Sequence, residues 1–135
     1  MQKTSIILGL LVIGVLLFGC LDNKSSVLAD LDKYTTRLGE DTASLVALQA
    51  EGKEIILNLS SGNISNQGKN EPRYIDWATR YATQLEITKQ HLTIFMSFVE
   101  DNEQALKNEG RNTANLKLSI GDMIVSCNRG LESIK

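Results

Sequence analysis

From Val27 onward, apolar residues return at three- and four-residue steps. Val27, Leu31, Tyr34 and Leu38 begin the series, and Leu45, Leu48, Ile55 and Leu59 continue it. A stripe of that period, sustained for about nine turns, is the signature of an amphipathic helix with one buried edge. Asp41 and Gly52 fall on the stripe where apolar residues would complete it. Gly39 and the Glu40-Asp41-Thr42 that follows offer a stop and restart, but the phase carries through them, so one long helix is expected.

Two further stripes follow. Residues 60–70 crowd Ser, Gly and Asn together and lose all periodicity, which reads as a loop. Asn70 or Glu71 can then cap a second helix with Pro72 in its first turn. Its stripe is Tyr74, Ala78, Tyr81, Leu85, Thr88, Leu92, Phe95, Val99, Asn102 and Leu106, and a flanking row of Trp77, Ile87, Ile94 and Phe98 widens the face. Gly110 terminates it, and Asn112 or Thr113 starts a third helix on Leu116, Ile120, Ile124, Cys127, Leu131 and Ile134. The short connection makes this last helix an antiparallel neighbour. One proline, few aromatics and abundant Leu, Ile, Ala, Glu, Lys and Gln favour helix over sheet. The expected class is all-α: an antiparallel up-down-up three-helix bundle with two long helices and one shorter, preceded by an N-terminal apolar signal or anchor helix.

The first nineteen residues have a different character. Lys3 gives a positive start, and an apolar run from Ile6 to Phe18 is broken only by Gly9 and Gly14. That run matches a signal-peptide core and falls short of the roughly 20 residues of a membrane-spanning helix. Leu17-Phe18-Gly19-Cys20 resembles the lipobox of prokaryotic lipoproteins. The resemblance implies cleavage before Cys20 and lipid attachment to its thiol; it covers only the N-terminus and implies nothing about the body. A diacyl chain at about 0.8 kcal/mol per buried CH₂ suffices for stable attachment. Two other readings stand beside it: an uncleaved membrane helix over residues 4–21, or an ordinary secretory signal cut near Gly19. All three place the rest of the chain outside the cytoplasm. The expected organisation is a signal peptide over 1–19, a lipidated Cys20 with a polar tether over 20–26, and a helical body over 27–135. The expected location is the cell membrane, lipid-anchored and facing outward.

A body of about 115 residues is one small domain. With 14 basic and 16 acidic residues the formal net charge is −2, which leaves no basic face for nucleic acid. Only Cys20 and Cys127 are present, so no disulfide scaffold holds the fold.

Candidate sites are few. Asn23, Asn58 and Asn63 each begin an Asn-x-Ser sequon and are candidate glycan acceptors. At the expected membrane-distal tip, Tyr74, Trp77 and Tyr81 adjoin Arg73 and Arg80. They form either an aromatic plug of the bundle end or a patch that binds a protein partner or a second copy. The third helix is expected to end opposite Leu48 and Leu85. That leaves Ile55, Ile56, Leu59, Tyr74, Ile75, Trp77 and Tyr81 for the loop, a second molecule or a partner to cover. His91 has no carboxylate three or four residues away and reads as a core-edge residue. Cys127 reads as a buried, inert thiol, and the acidic run from Glu100 to Glu103 lacks calcium-loop spacing. No phosphate loop, nucleophile elbow or metal-ligand cluster occurs, so neither enzymatic activity nor a cofactor or metal is expected. The expected role is a helical protein-interaction module. The alternative is a small-ligand binder or sensor with a pocket near His91, Phe95 and Cys127.

Overall fold

The computed structural model describes residues 25–60 and 68–135. The expected signal and anchor, Cys20, the tether up to residue 24, and the sequons at Asn23 and Asn63 lie outside the described residues. Four α-helices make up the described part: α1 (Ser26–Ser60), α2 (Pro72–Asp101), α3 (Glu103–Asn108) and α4 (Thr113–Ser133). A single 3₁₀ turn, Gly68–Asn70, precedes α2, and no strand occurs among the described residues. None of the described helices is long and apolar enough to cross a membrane.

The helix ends follow from local chemistry. Ser25 accepts from the Leu28 amide at 3.4 Å, starting α1. Glu71 caps α2, its carboxylate accepting from the Arg73 amide at 3.1 Å, with Pro72 where no amide donor is missed. Asn112 caps α4 by accepting from the Asn115 amide at 3.0 Å. α1 passes through Gly39 unbroken, as the continuous phase requires.

The second helix does not run on to Gly110. It breaks at Asn102, whose side-chain amide donates to the Phe98 carbonyl at 2.9 Å while its backbone amide donates to the same oxygen at 3.0 Å. An asparagine that takes up the carbonyl of its own preceding turn competes with the helix ladder. α3 restarts with the Leu106 amide on the Asn102 carbonyl at 2.9 Å. It ends at Gly110, which has φ 75°. The Gly110 amide donates to Lys107 and the Arg111 amide to Leu106, the paired bonds of a Schellman terminus.

α2 lies between the other long elements. It approaches both α1 and α4 closely, whereas α1 and α4 make little direct backbone approach to each other. The α1–α2 pairing is antiparallel, since Tyr34 meets Phe95 and Phe98 while Leu48 and Gln49 meet Trp77 and Tyr81. α2 and α4 also run oppositely: Leu85 and Tyr81 lie against Gly130, and Glu103 reaches Thr113 and Lys117. α4 therefore extends past Leu85, further than its residue count suggested.

The core is one continuous cluster from Leu28 and Leu106 to Ile55 and Tyr74. The main stripe of α2 is buried as expected, and two details of facing differ. Ile87 and Ile94 are exposed, not buried beside Phe98. In α4 the buried residues are Thr113, Ile120, Met123, Cys127 and Gly130, while Leu116, Ile124, Leu131 and Ile134 flank them half-buried.

The α3–α4 turn is also held by charge. Glu103 lies 2.9 Å from Lys107 and 3.3 Å from Lys117. Hydrogen bonds from those two ammonium groups hold its carboxyl at about 2. Because the folded value is depressed, the contribution is complete above the ordinary value of 4.5 and fades as pH falls toward 2. The side chain is about one-third exposed, so solvent screening keeps that contribution small. A carbon-13 titration of the Glu103 carboxyl is expected to show its midpoint near pH 2, with the Gly110 and Arg111 amide shifts moving in the same window.

Candidate functional site

At the far end of the α1–α2 pair, the aromatic residues turn inward. Tyr74, Trp77 and Tyr81 are 7%, 5% and 5% exposed. Trp77 is stacked with Tyr81, ring centroids 5.3 Å apart and planes 12° apart, and tilted against Tyr74 at 5.5 Å. The indole fits a notch at Gly52, where an added Cβ would fall 2.1 Å from Trp77 Cζ2. Its Nε1–H donates to the Leu48 carbonyl at 2.6 Å, and the Tyr81 hydroxyl accepts from Gln49 at 3.0 Å. Burial pushes the Tyr81 phenol above its usual range, with the Gln49 bond opposing. These rings form an internal plug. The plug is one of the two arrangements the sequence left open; of the five residues Tyr74, Trp77 and Tyr81 are buried, and Arg73 and Arg80 are exposed.

The two arginines line a shallow charged cleft with Glu51, Glu54, Ile55 and Asp76. Arg80 forks onto Glu51, Nη1 donating to Oε2 at 3.0 Å and Nη2 to Oε1, while Nε donates to Asp76 at 2.9 Å. The Arg80 hydrogen bond holds the Glu51 carboxyl low, and the charge of Arg73 acts in the same sense. The cleft is thus largely self-neutralised.

Midway along the same helix pair lies a polar cluster that residue spacing did not reveal. Asp41, 6% exposed, places Oδ2 2.6 Å from Nδ1 of His91 and accepts at Oδ1 from Gln84 Nε2 at 3.3 Å. A carboxylate only accepts, so Nδ1–H is the donor of this contact. Gln84 also donates to Thr88 at 3.3 Å, and Thr88 is fully buried. The carboxylate that meets His91 stands fifty residues away, outside the three- and four-residue spacing that a local reading inspects. The available signal was an acidic residue on an otherwise apolar stripe.

Cys127 and Phe95 are each 2% exposed within the core, and Phe95 stacks on Tyr34 at 5.3 Å. The two surface depressions described here do not touch them: one is the charged cleft, and the other is an open groove between α2 and α4 over Tyr74, Ala78, Ala82, Leu131 and Ile134. Burial drives the Cys127 thiol up to about 11; Lys89 opposes this, and Asp41 and Glu86 add to it. At pH 8 a thiol of that kind is on the order of 0.1% thiolate. Cys127 is therefore expected to resist a colorimetric disulfide reagent at pH 8 until denaturant is added; prompt native labelling would place it at the surface.

Asn58 is exposed near the C-terminal end of α1. Among the described residues no three His, Cys, Asp or Glu side chains gather as metal ligands. No protein-family model, curated protein or solved structure matches the chain.

Proposed function

We propose that this chain is a lipid-anchored prokaryotic lipoprotein whose helices form an up-down-up bundle outside the cytoplasm, and that the bundle is a protein-interaction module without enzymatic activity. The anchor reading is supported by Leu17-Phe18-Gly19-Cys20 standing only six residues before the start of α1 at Ser26. A tether that short keeps the base of the body against the bilayer.

The observation that carries the interaction reading is the set of large apolar side chains left on the outside. Ile87 and Ile94 stand seven apart on α2, and Leu118 and Val125 seven apart on α4, with exposures from 38% to 65%. Seven residues are nearly two helical turns, so each pair makes a short row pointing away from the core. Contiguous exposed apolar patches mark association surfaces, and two such rows on neighbouring helices supply the apolar side chains that one would need. In the described residues, the buried polar cluster packs inside the α1–α2 contact and the charged cleft is neutralised from within. That arrangement favours recognition over small-ligand binding.

Mass spectrometry of the membrane-derived protein tests the anchor, and in-membrane cross-linking from position 94 or 118 tests the module. The expected results are a lipid on Cys20 and a discrete cross-linked species, lost in Ile87→Asp when the cross-linker stands at 94 or in Val125→Asp when it stands at 118. An unmodified Cys20, or a protein that never cross-links from either position, would count against the corresponding half.

A further inference from the structure

The apolar contact between α1 and α2 does not by itself select one alignment. Leu31, Leu38, Leu45 and Leu59 belong to one seven-residue series on α1, and Tyr34, Leu48 and Ile55 to another. Sliding α1 by seven residues, about 10 Å, would bring apolar residues onto apolar places again along most of the contact. Each series has one member that breaks the repeat: Gly52 in the first and Asp41 in the second.

We propose that Asp41 and Gly52 are two independent alignment locks, a conformational device that excludes both heptad-shifted pairings of α1 on α2. The first lock is polar. A slide in one direction puts Asp41 where Tyr34 now stands, against the rings of Phe95 and Phe98 and away from His91 and Gln84, and puts Leu48 against those two residues. A slide in the other direction puts Tyr34 opposite His91 and moves Asp41 to the Leu48 position. Either way the two acceptor oxygens leave His91 and Gln84 together. A single buried polar contact in an apolar seam is the best-attested means of fixing register.

The second lock is steric. Trp77 needs a position on α1 without a side chain, because even a Cβ at Gly52 would lie 2.1 Å from its ring. After a slide in either direction the residue beneath Trp77 is a leucine, Leu45 or Leu59. The Nε1–H bond to the Leu48 carbonyl would be lost as well.

The test is a two-by-two comparison in the full-length chain. Nitroxides on ketone-bearing residues introduced at exposed Ala43 and Thr83 report how the helices are offset, without using either cysteine. The four forms are the parent, Asp41→Leu with His91→Leu, Trp77→Leu, and all three substitutions together. One distance is expected in the first three, because either lock suffices. A second population, offset by about 10 Å along the axis, is expected only when both are removed. Should Trp77→Leu reduce helix content, Trp77→Phe replaces it, giving up the indole N–H and its reach into the notch. A helical triple variant with the single parent distance would overturn the proposal and assign the alignment to α4. A second population after one lock is removed would overturn their independence, and loss of helix with both Trp77 replacements would show a folding requirement instead of an alignment device.

Discussion

Replacing Gly52 with alanine is expected to lower the unfolding free energy by about 2–3 kcal/mol, while the same replacement at Gly39 raises it by up to about 1 kcal/mol. Both glycines sit inside α1, and neither has the positive φ that would favour glycine. In an open helix interior, alanine is better than glycine because it restricts the unfolded chain and exposes less backbone. Gly39 has nothing within 4 Å of an added Cβ, so that gain is realised in full. At Gly52 the same gain is overridden. The added carbon would meet Trp77 Cζ2 at 2.1 Å and Cε2 at 2.3 Å, and the indole must move. Moving it gives up the 2.6 Å bond to Leu48 and disturbs the stack on Tyr81. Urea titrations of both variants, followed by circular dichroism, check the sign. Trp77 is the only tryptophan, so its emission is expected to shift to the red in Gly52→Ala and stay put in Gly39→Ala. Equal stabilisation by both substitutions would mean that the indole does not occupy the notch.

Much of the helical framework was legible because it is local. The phase that runs from Leu38 to Leu45 carries α1 through Gly39, and Glu71, Pro72, Asn112 and Gly110 act within a turn of where they stand. The break at Asn102 was harder to read. Asparagine on a buried stripe fits either a solvated edge or a side chain turned back on its own helix, and only the Phe98 bond distinguishes them. Facing was the weakest inference. α4 carries apolar residues at both 123 and 124, and which one enters the core depends on neighbours set by α1 and α2. The same ambiguity put Ile94 beside the core when it points outward. Asp41 was visible as an oddity on its stripe, but its partners His91 and Gln84 lie on another helix, beyond the reach of any local pattern. The aromatic tip was legible as a cluster; its inward orientation depended on the Gly52 notch, a detail of tertiary packing.

Two adjacent residues of α2 test that facing most sharply. Phe95→Ala is expected to cost about 3–5 kcal/mol, and Ile94→Ala less than about 0.5 kcal/mol. Phe95 is 2% exposed and stacked nearly parallel to Tyr34, planes 4° apart, with Phe98 against the other ring at 4.6 Å. Its removal takes away the transfer free energy of the ring and leaves a void that Tyr34 can only partly fill, since Tyr34 is held by Phe98 as well. Ile94 is 50% exposed, so truncating it removes surface that was already half wet. The two changes sit on one turn of the same helix and alter helix propensity in the same direction, so the contrast isolates burial. Chemical denaturation of the two variants at one pH measures it. Were α2 rotated by one residue, so that Ile94 entered the core in place of Phe95, the two costs would draw together. A ratio near unity would therefore undo the facing of α2, and with it both the plug at Trp77 and the seat of His91 opposite Asp41.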